Sequence, residues 1–487
     1  MNAYRKLIQN TFLYGLSTVV PRMISVVLLP LYTGVLENAS FGDYSILFVY
    51  FGIFNVILAY GMETGFFRFY ESETDKQKVI HTSTWSIIVT TLLFLVVAWL
   101  NVSTIAQWIG FDVLLVKLMI GILVLDALAV IPFAWLRATN KSGRFAVIKI
   151  INVSVNLLLN VFLLIYLSDL AEQSSFFESF YISDFEVSYI FISNFIASLV
   201  TLLLLGDYLS KIRFQFDWEL WKRIIRYSYP VLIAGMAYTV NELVDRLLLD
   251  FMLEESTSRA QVGIYSACYK LGMFMTLFAT AFRLGIEPFF FSHAKTQNPQ
   301  KGYALITKYF AIIGSFILLV VVVFADILKL FLIRDESFWE GMQVVPLILL
   351  ANLCLGIYHN LSVWYKVTDR TKIGAYISSF GAFLTILTNI WLIPILGYVG
   401  SAIATVCAYA SMMLISYVVG QRYYPIPYRI GRISTYMLLS IGLGGIYFYL
   451  FRENYWVGIS FIILFSSLMV FNEKNEIKSL YSKKQNK

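Results

Sequence analysis

The sequence predicts an all-α polytopic membrane protein with about 14 transmembrane helices, on three observations. Of its 487 residues, 59% are hydrophobic and only 14% charged. Its mean hydropathy is +0.73, far from soluble chains with their ~25% charged residues. Apolar runs of about 18 residues or more recur along the whole length, each enough to cross a hydrocarbon core of ~30 Å. Lysine and arginine crowd into alternate breaks between these runs, as the positive-inside rule requires.

In order, the first six runs lie near 11–36, 43–63, 80–100, 113–136, 146–169 and 188–209. Six more lie near 226–252, 261–290, 303–328, 341–365, 374–396 and 400–420, and a final pair near 433–451 and 454–471. The opening MNAYRKLIQN has no small-residue cleavage site, so the first run reads as a retained span rather than a signal peptide. With a cytoplasmic N-terminus, the inner breaks and the tail hold roughly 27 basic residues against 4 outside (Arg259, Lys329, Arg334 and Arg452). Both termini are then cytoplasmic.

An internal repeat divides the chain. Gly42-Asp43-Tyr44-Ser45 matches Gly263-Ile264-Tyr265-Ser266. Gly61-Met62-Glu63-Thr64-Gly65-Phe66-Phe67 matches Gly285-Ile286-Glu287-Pro288-Phe289-Phe290-Phe291, which gives Glu63 and Glu287 equivalent places, as gate or structural residues. Trp135 to Ser142 matches Trp364 to Thr371, and at that offset Asn160 falls on Asn389. Six spans separate the copies, so both halves keep one orientation, a parallel repeat about an axis along the membrane normal. The expected division is an N-terminal six-helix lobe (1–210), a second lobe (211–420), two additional helices (421–472) and a basic cytoplasmic tail (473–487).

Several chemistries lack their residues. There is no phosphate loop, no H-E-x-x-H, no G-x-S-x-G and no dinucleotide fingerprint, so no enzyme activity is expected. Cys268, Cys354 and Cys407 all lie in apolar runs and read as packing residues; His81, His293 and His359 are too scattered for a metal site. Asn152 and Asn360 each begin an Asn-X-Ser triplet, but within or beside spans, so neither reads as a glycan acceptor.

The ionisable residues inside spans are the candidate site, because a charge at that depth must face protein or a wet cavity. Arg22, after Pro21 in the first span, has no acid in its own span. It is either a cation fixed in a transport path or the partner of a buried carboxylate. Lys117 and Asp126 lie in the fourth span and Lys149 near the inner end of the fifth; the lysines can snorkel. The seventh span carries Glu242, Asp245, Arg246 and Asp250, so Arg246 is either a ligand group or neutralised by Glu242 and Asp250 one turn away. Lys270 has no obvious local acid, whereas Arg283 can pair with Glu287. Arg22, Arg246, Lys270, Arg283 and Lys117 are the candidate anion-binding cations. Asp126, Asp245 and Glu242 are candidates for ion or proton coupling; Asp126 could instead neutralise Arg22.

Residues Tyr14-Gly15-Leu16-Ser17, the Pro-Arg before LLPLYTGVL, FGDYS, YGMETGFFRFY, Val244-Asp245-Arg246-Leu247 and GIYSACYK together resemble the bacterial polysaccharide-biosynthesis flippases. These are the Wzx-type oligosaccharide-lipid flippases, relatives of lipid II flippases and multidrug extruders in the MATE-like superfamily. The resemblance implies a V-shaped pair of six-helix bundles working by alternating access in the bacterial inner membrane. It implies an undecaprenyl-pyrophosphate-linked oligosaccharide, such as an O-antigen, capsule or exopolysaccharide unit, moved from the cytoplasmic to the periplasmic leaflet. Cavity cations would receive the pyrophosphate. The expected partners are that lipid-linked oligosaccharide, membrane lipids and polysaccharide polymerase or assembly proteins, with no nucleic acid. No cofactor or metal is expected, and coupling to a proton or sodium gradient stays open. The alternatives are a lipid II flippase, a multidrug exporter of the same architecture, or a membrane glycosyltransferase or O-antigen polymerase.

Overall fold

The computed structural model describes residues 26–293, 298–368 and 370–485. Among them every regular element is helical and no strand occurs. Among the described residues, eleven helices are long and apolar enough to cross a membrane. One of them, Thr371–Tyr423, is two helices joined at Gly397, whose φ of 56° and ψ of −137° break the helical path three residues after Pro394. Glycine adopts that left-handed conformation without steric cost. The break falls at the predicted boundary between the spans near 374–396 and 400–420. Helix Trp218–Met252, 35 residues long, also has the length to cross, although charges interrupt its apolar surface.

Two compact units are present, Met1–Ser266 and Ala267–Lys487. In the first, α1 (Val26–Val35) precedes α2 (Asn38–Ala59), α3 (Met62–Ser72), α4 (Lys76–Leu100), α5 (Val102–Ile109), α6 (Val113–Ala138) and α7 (Ser142–Val161). A π-turn over Phe162–Tyr166 extends α7; α8 (Leu167–Gln173), α9 (Ser175–Glu178), α10 (Glu186–Leu204), α11 (Gly206–Leu209), α12 (Trp218–Met252) and α13 (Glu255–Tyr269) follow. Apolar residues at helical spacing face inward: Leu47, Phe51, Met119, Leu123 and Phe191 form one core, and Met62, Phe66, Ile80, Ile131 and Ile224 another. Between α2 and α3, Tyr60 and Gly61 both take positive φ. A Cβ at Gly61 would come within 2.5 Å of the Ser228 carbonyl oxygen, so the bend needs glycine for space as well as for conformation.

The repeat anchors make matching contacts inside each unit. Trp135 packs edge-on to Tyr208 at 4.9 Å, with Lys141 over the same tyrosine ring. In the second unit Trp364 stacks on Tyr423 at 6.0 Å, with Arg370 over that ring. Asn160 and Asn389 are both fully buried, and each accepts a hydroxyl hydrogen bond, from Tyr32 and Ser401 respectively. The second unit holds its last helix, Tyr455–Gln485, partly through an ion pair between Lys308 and Glu473, 2.5 Å apart and each 1% exposed. Lys308 therefore lies in the packed interior of helix Pro299–Val323 rather than in an inner loop.

Candidate functional site

A cavity of 790 Å³ lies within the first unit. Its lining follows helical periodicity. From α6 come Ile122, Asp126, Ala129, Val130, Phe133 and Arg137, and from α7 Phe145, Lys149, Asn152, Val153 and Asn156. These steps of three and four residues put each set on one face. Helix α10 adds Asn194, Ala197, Ser198 and Thr201; α2 adds Tyr44, Phe48, Phe51 and Asn55; Tyr32 and Glu63 complete the polar lining. The wall is thus aromatic and amide-rich, with two carboxylates and two cations among the described residues.

The cations differ in availability. Arg137 pairs with Glu63, both 43% exposed, and a pair that wet contributes only ~0–1 kcal/mol, so a ligand can compete for the guanidinium. Lys149 has no hydrogen bond or ion pair to any described residue; its Nζ lies over the Phe133 ring, 4.3 Å from the centroid. A half-buried ammonium over an aromatic face, with Asp126 and Glu63 acting on it only at a distance, keeps its N–H donors open to an anion.

The carboxyl and amide groups make separate hydrogen-bonded pairs along the lining. Ser198 donates to Asp126 at 2.8 Å, and Asn152 donates to Thr201 at 2.9 Å. Asn160 donates to both the carbonyl and the side-chain oxygen of Asn156, at 2.8 and 3.2 Å. The Asn156 amide nitrogen is buried with no partner. An unsatisfied buried donor costs about 1–3 kcal/mol, so this position is suited to an incoming acceptor.

The other predicted site residues stand elsewhere. Arg22 lies outside the described residues, as does the side chain of Glu287. Arg246 does not line the cavity: it is buried against Asp245 at 2.9 Å and donates to the Glu242 carbonyl, while Tyr265 donates to Asp245 at 2.6 Å. Its neighbour Asp245 is thus a carboxylate partner, and Asp250 binds Arg259 at 2.8 Å. Lys117 is exposed with its Nζ 5.8 Å from the Trp99 centroid, the geometry of a snorkelling lysine. Lys270 opens the 3-10 turn Lys270–Gly272 in the second unit, and Arg283 is exposed on helix Met273–His293. Sequence reasoning placed Asp126 and Glu63 among the candidates, set Lys149 aside as a lysine that can snorkel, and gave Arg137 and the asparagines no site role. The available signal was the run Asn152, Asn156, Asn160 at four-residue steps inside an apolar span.

At the N-terminal end of α2, backbones meet. A Cβ at Gly42 would lie 1.9 Å from the Arg259 carbonyl oxygen, and one at Gly263 1.9 Å from the Asn38 carbonyl oxygen. Arg259 clamps this crossing, binding Asp43 at 2.9 Å and Asp250 at 2.8 Å, with the Ile109 carbonyl at 3.2 Å.

These features define a multi-pass membrane protein with a polar chamber enclosed by helices. Residues 7–291 match the model of the polysaccharide biosynthesis proteins, and the chain belongs to that family. No curated protein sequence matches it. Among solved structures it is similar to the lipid II flippase MurJ in an inward closed conformation, with a TM-score of 0.73 and 15% identity over 95% of this chain and 99% of that one. It is also similar to an inward-facing multidrug resistance MATE family transporter of the MOP superfamily (TM-score 0.63, 12% identity, 86% of this chain and 95% of that one). A MOP superfamily transporter from Pyrococcus furiosus, described by the reverse polarity of its binding pocket, is also similar, at TM-score 0.52 and 12% identity, over 86% of this chain and 96% of that one. At these identities the likeness is one of fold.

Proposed function

We propose that this protein moves a polyprenyl-pyrophosphate-linked saccharide from the cytoplasmic to the periplasmic leaflet of the bacterial inner membrane by alternating access, without chemistry on its cargo. The observation that carries this reading is the pair of cavity cations, Lys149 with no hydrogen bond or short ion pair to a described residue and Arg137 in a wet pair with Glu63, in an amide-rich chamber of a polysaccharide-biosynthesis family member. A pyrophosphate and its sugars cannot enter hydrocarbon without losing hydration that nothing replaces. Lys149, with Arg137 released from Glu63, supplies that replacement for the phosphates. Arg22, Lys270 and Arg283 belong to the same reading as further headgroup contacts, and Asp126 as the group that binds a proton or sodium ion if transport is coupled. Polymerase and assembly proteins would receive the flipped unit. The similarity to a lipid II flippase favours, as a second reading, a peptide-bearing headgroup in the same chamber.

The test is a flipping assay on the purified chain in liposomes loaded with fluorescent undecaprenyl-pyrophosphate saccharide. Lys149→Gln should slow headgroup translocation at least tenfold, a charge-assisted hydrogen bond being worth about 1.5–3 kcal/mol. Lys117→Gln should leave it near wild type. Equal rates in both variants would remove Lys149 from the path. A wild-type protein that leaves this lipid unmoved while moving lipid II would select the second reading.

A further inference from the structure

Resting on that reading, we propose that Asn156 and Asn194 form a sugar-reading subsite for an uncharged, hydroxyl- or acetamido-bearing residue next to the pyrophosphate. The cavity wall is graded. Along α7, Lys149 and Asn156 are two turns apart, about 10 Å of helix rise, so the phosphate-binding ammonium and the amide layer are spaced as the two parts of one headgroup. Asn156 has its oxygen taken by Asn160 and offers only its unpartnered amide N–H groups. Asn194, across the cavity lining on α10, has the reverse balance: its nitrogen donates to the Ile190 carbonyl at 2.9 Å, and its oxygen receives no hydrogen bond from a described residue. One helix thus presents a donor and another an acceptor. A sugar hydroxyl, or an acetamido group with its carbonyl and N–H, uses both at once. In this layer the acidic group is Asp126, which accepts from Ser198, can take further sugar hydroxyls and interacts electrostatically with Lys149; with that ammonium engaged by phosphate, a uronate beside Asp126 meets like charge. The Phe48 and Phe51 faces supply apolar surface for the ring's C–H side.

The experiment measures binding of three probes to the full-length protein in detergent: undecaprenyl pyrophosphate, the same lipid carrying one N-acetylhexosamine, and the same lipid carrying one uronic acid. Wild type should bind the N-acetylhexosamine lipid more tightly than either of the others. Asn156→Leu and Asn194→Leu should each lower that preference about tenfold, the scale of one lost hydrogen bond with its partner left unsatisfied. Preference unchanged in both variants, or a wild type that binds all three lipids alike, overturns the subsite while leaving the flippase reading intact. Failure of wild type to bind any of the three overturns the flippase reading itself. The variants lie on different helices, and the wild-type ranking alone decides the case if either fails to fold.

Discussion

Replacing Gly42 by alanine tests the helix crossing that closes one end of the first unit. The added Cβ would sit 1.9 Å from the Arg259 carbonyl oxygen and 2.7 Å from its carbonyl carbon. Ordinary carbon–oxygen contacts lie near ~3.3 Å, so the two backbones must part by over an ångström. No rotamer change relieves this, because the obstructing atoms are main chain. Overpacking alone costs about 1–3 kcal/mol. Separation also strains the Arg259 bonds to Asp43 and Asp250, at 2.9 and 2.8 Å, which hold the same crossing. The working figure is therefore about 3 kcal/mol, the upper end of that range. At ~2–4 °C per kcal/mol for a unit of this size, Tm should fall by roughly 6–12 °C. The assay is thermal unfolding of the purified full chain in detergent, followed by the temperature at which a protease begins to cut within residues 26–266. Gly263→Ala should behave alike, since its Cβ meets the Asn38 carbonyl oxygen at 1.9 Å. The double variant should lose less than the sum, because one displacement serves both clashes. Gly42→Ala unfolding within a degree or so of wild type would refute the reasoning.

In the second unit, Glu473→Gln should destabilise the docking of the last helix by about 3–5 kcal/mol, because it leaves Lys308 buried without its carboxylate. Pairing Lys308→Met with Glu473→Leu should recover most of the loss, and protease cutting of that helix reports both outcomes. Asp326, 4% exposed, is driven up by burial but more strongly down by hydrogen bonds from Arg452 and Lys329, and its pKa ends below the ordinary 3.8. A carboxylate depressed in the fold contributes stability that is fully present above its unfolded pKa and fades as pH falls through its folded one. The stability advantage of wild type over Arg452→Ala should therefore be constant above roughly pH 5 and shrink below about pH 4. A difference that is flat across a pH series of melting curves would contradict that assignment.

What could be read from the sequence, and what could not, divides along one physical line. Hydropathy and backbone chemistry act locally, so the helical class, the break after Pro394 and the repeat anchors were legible. Gly42 and Gly263 were recognisable as equivalent, and the structure gives the reason for glycine at both: each admits the other helix's backbone. Charge pairing is not local in that sense. Depth along a span can be counted, but the direction in which a side chain points, and what waits there, depends on a third and fourth helix. Arg246 read as either a ligand group or neutralised by Glu242 and Asp250 one turn away; the fold adds Asp245, reached by folding the guanidinium back beside its own backbone, while Arg259 captures Asp250. Lys149 read as a snorkelling lysine because it lies near a span end, yet α7 turns it toward Phe133 and the chamber. That it makes no direct hydrogen bond or short ion pair becomes visible only when every neighbouring helix is in place. The asparagines were hidden by the opposite error: amides are uncharged, so a search for intramembrane charge passes over them, although in hydrocarbon an unsatisfied amide is itself expensive. A run of asparagines at four-residue steps in an apolar span is therefore a site signal of the same kind as a buried lysine. It asks which helix completes the hydrogen bonds and, where none does as at Asn156, which ligand.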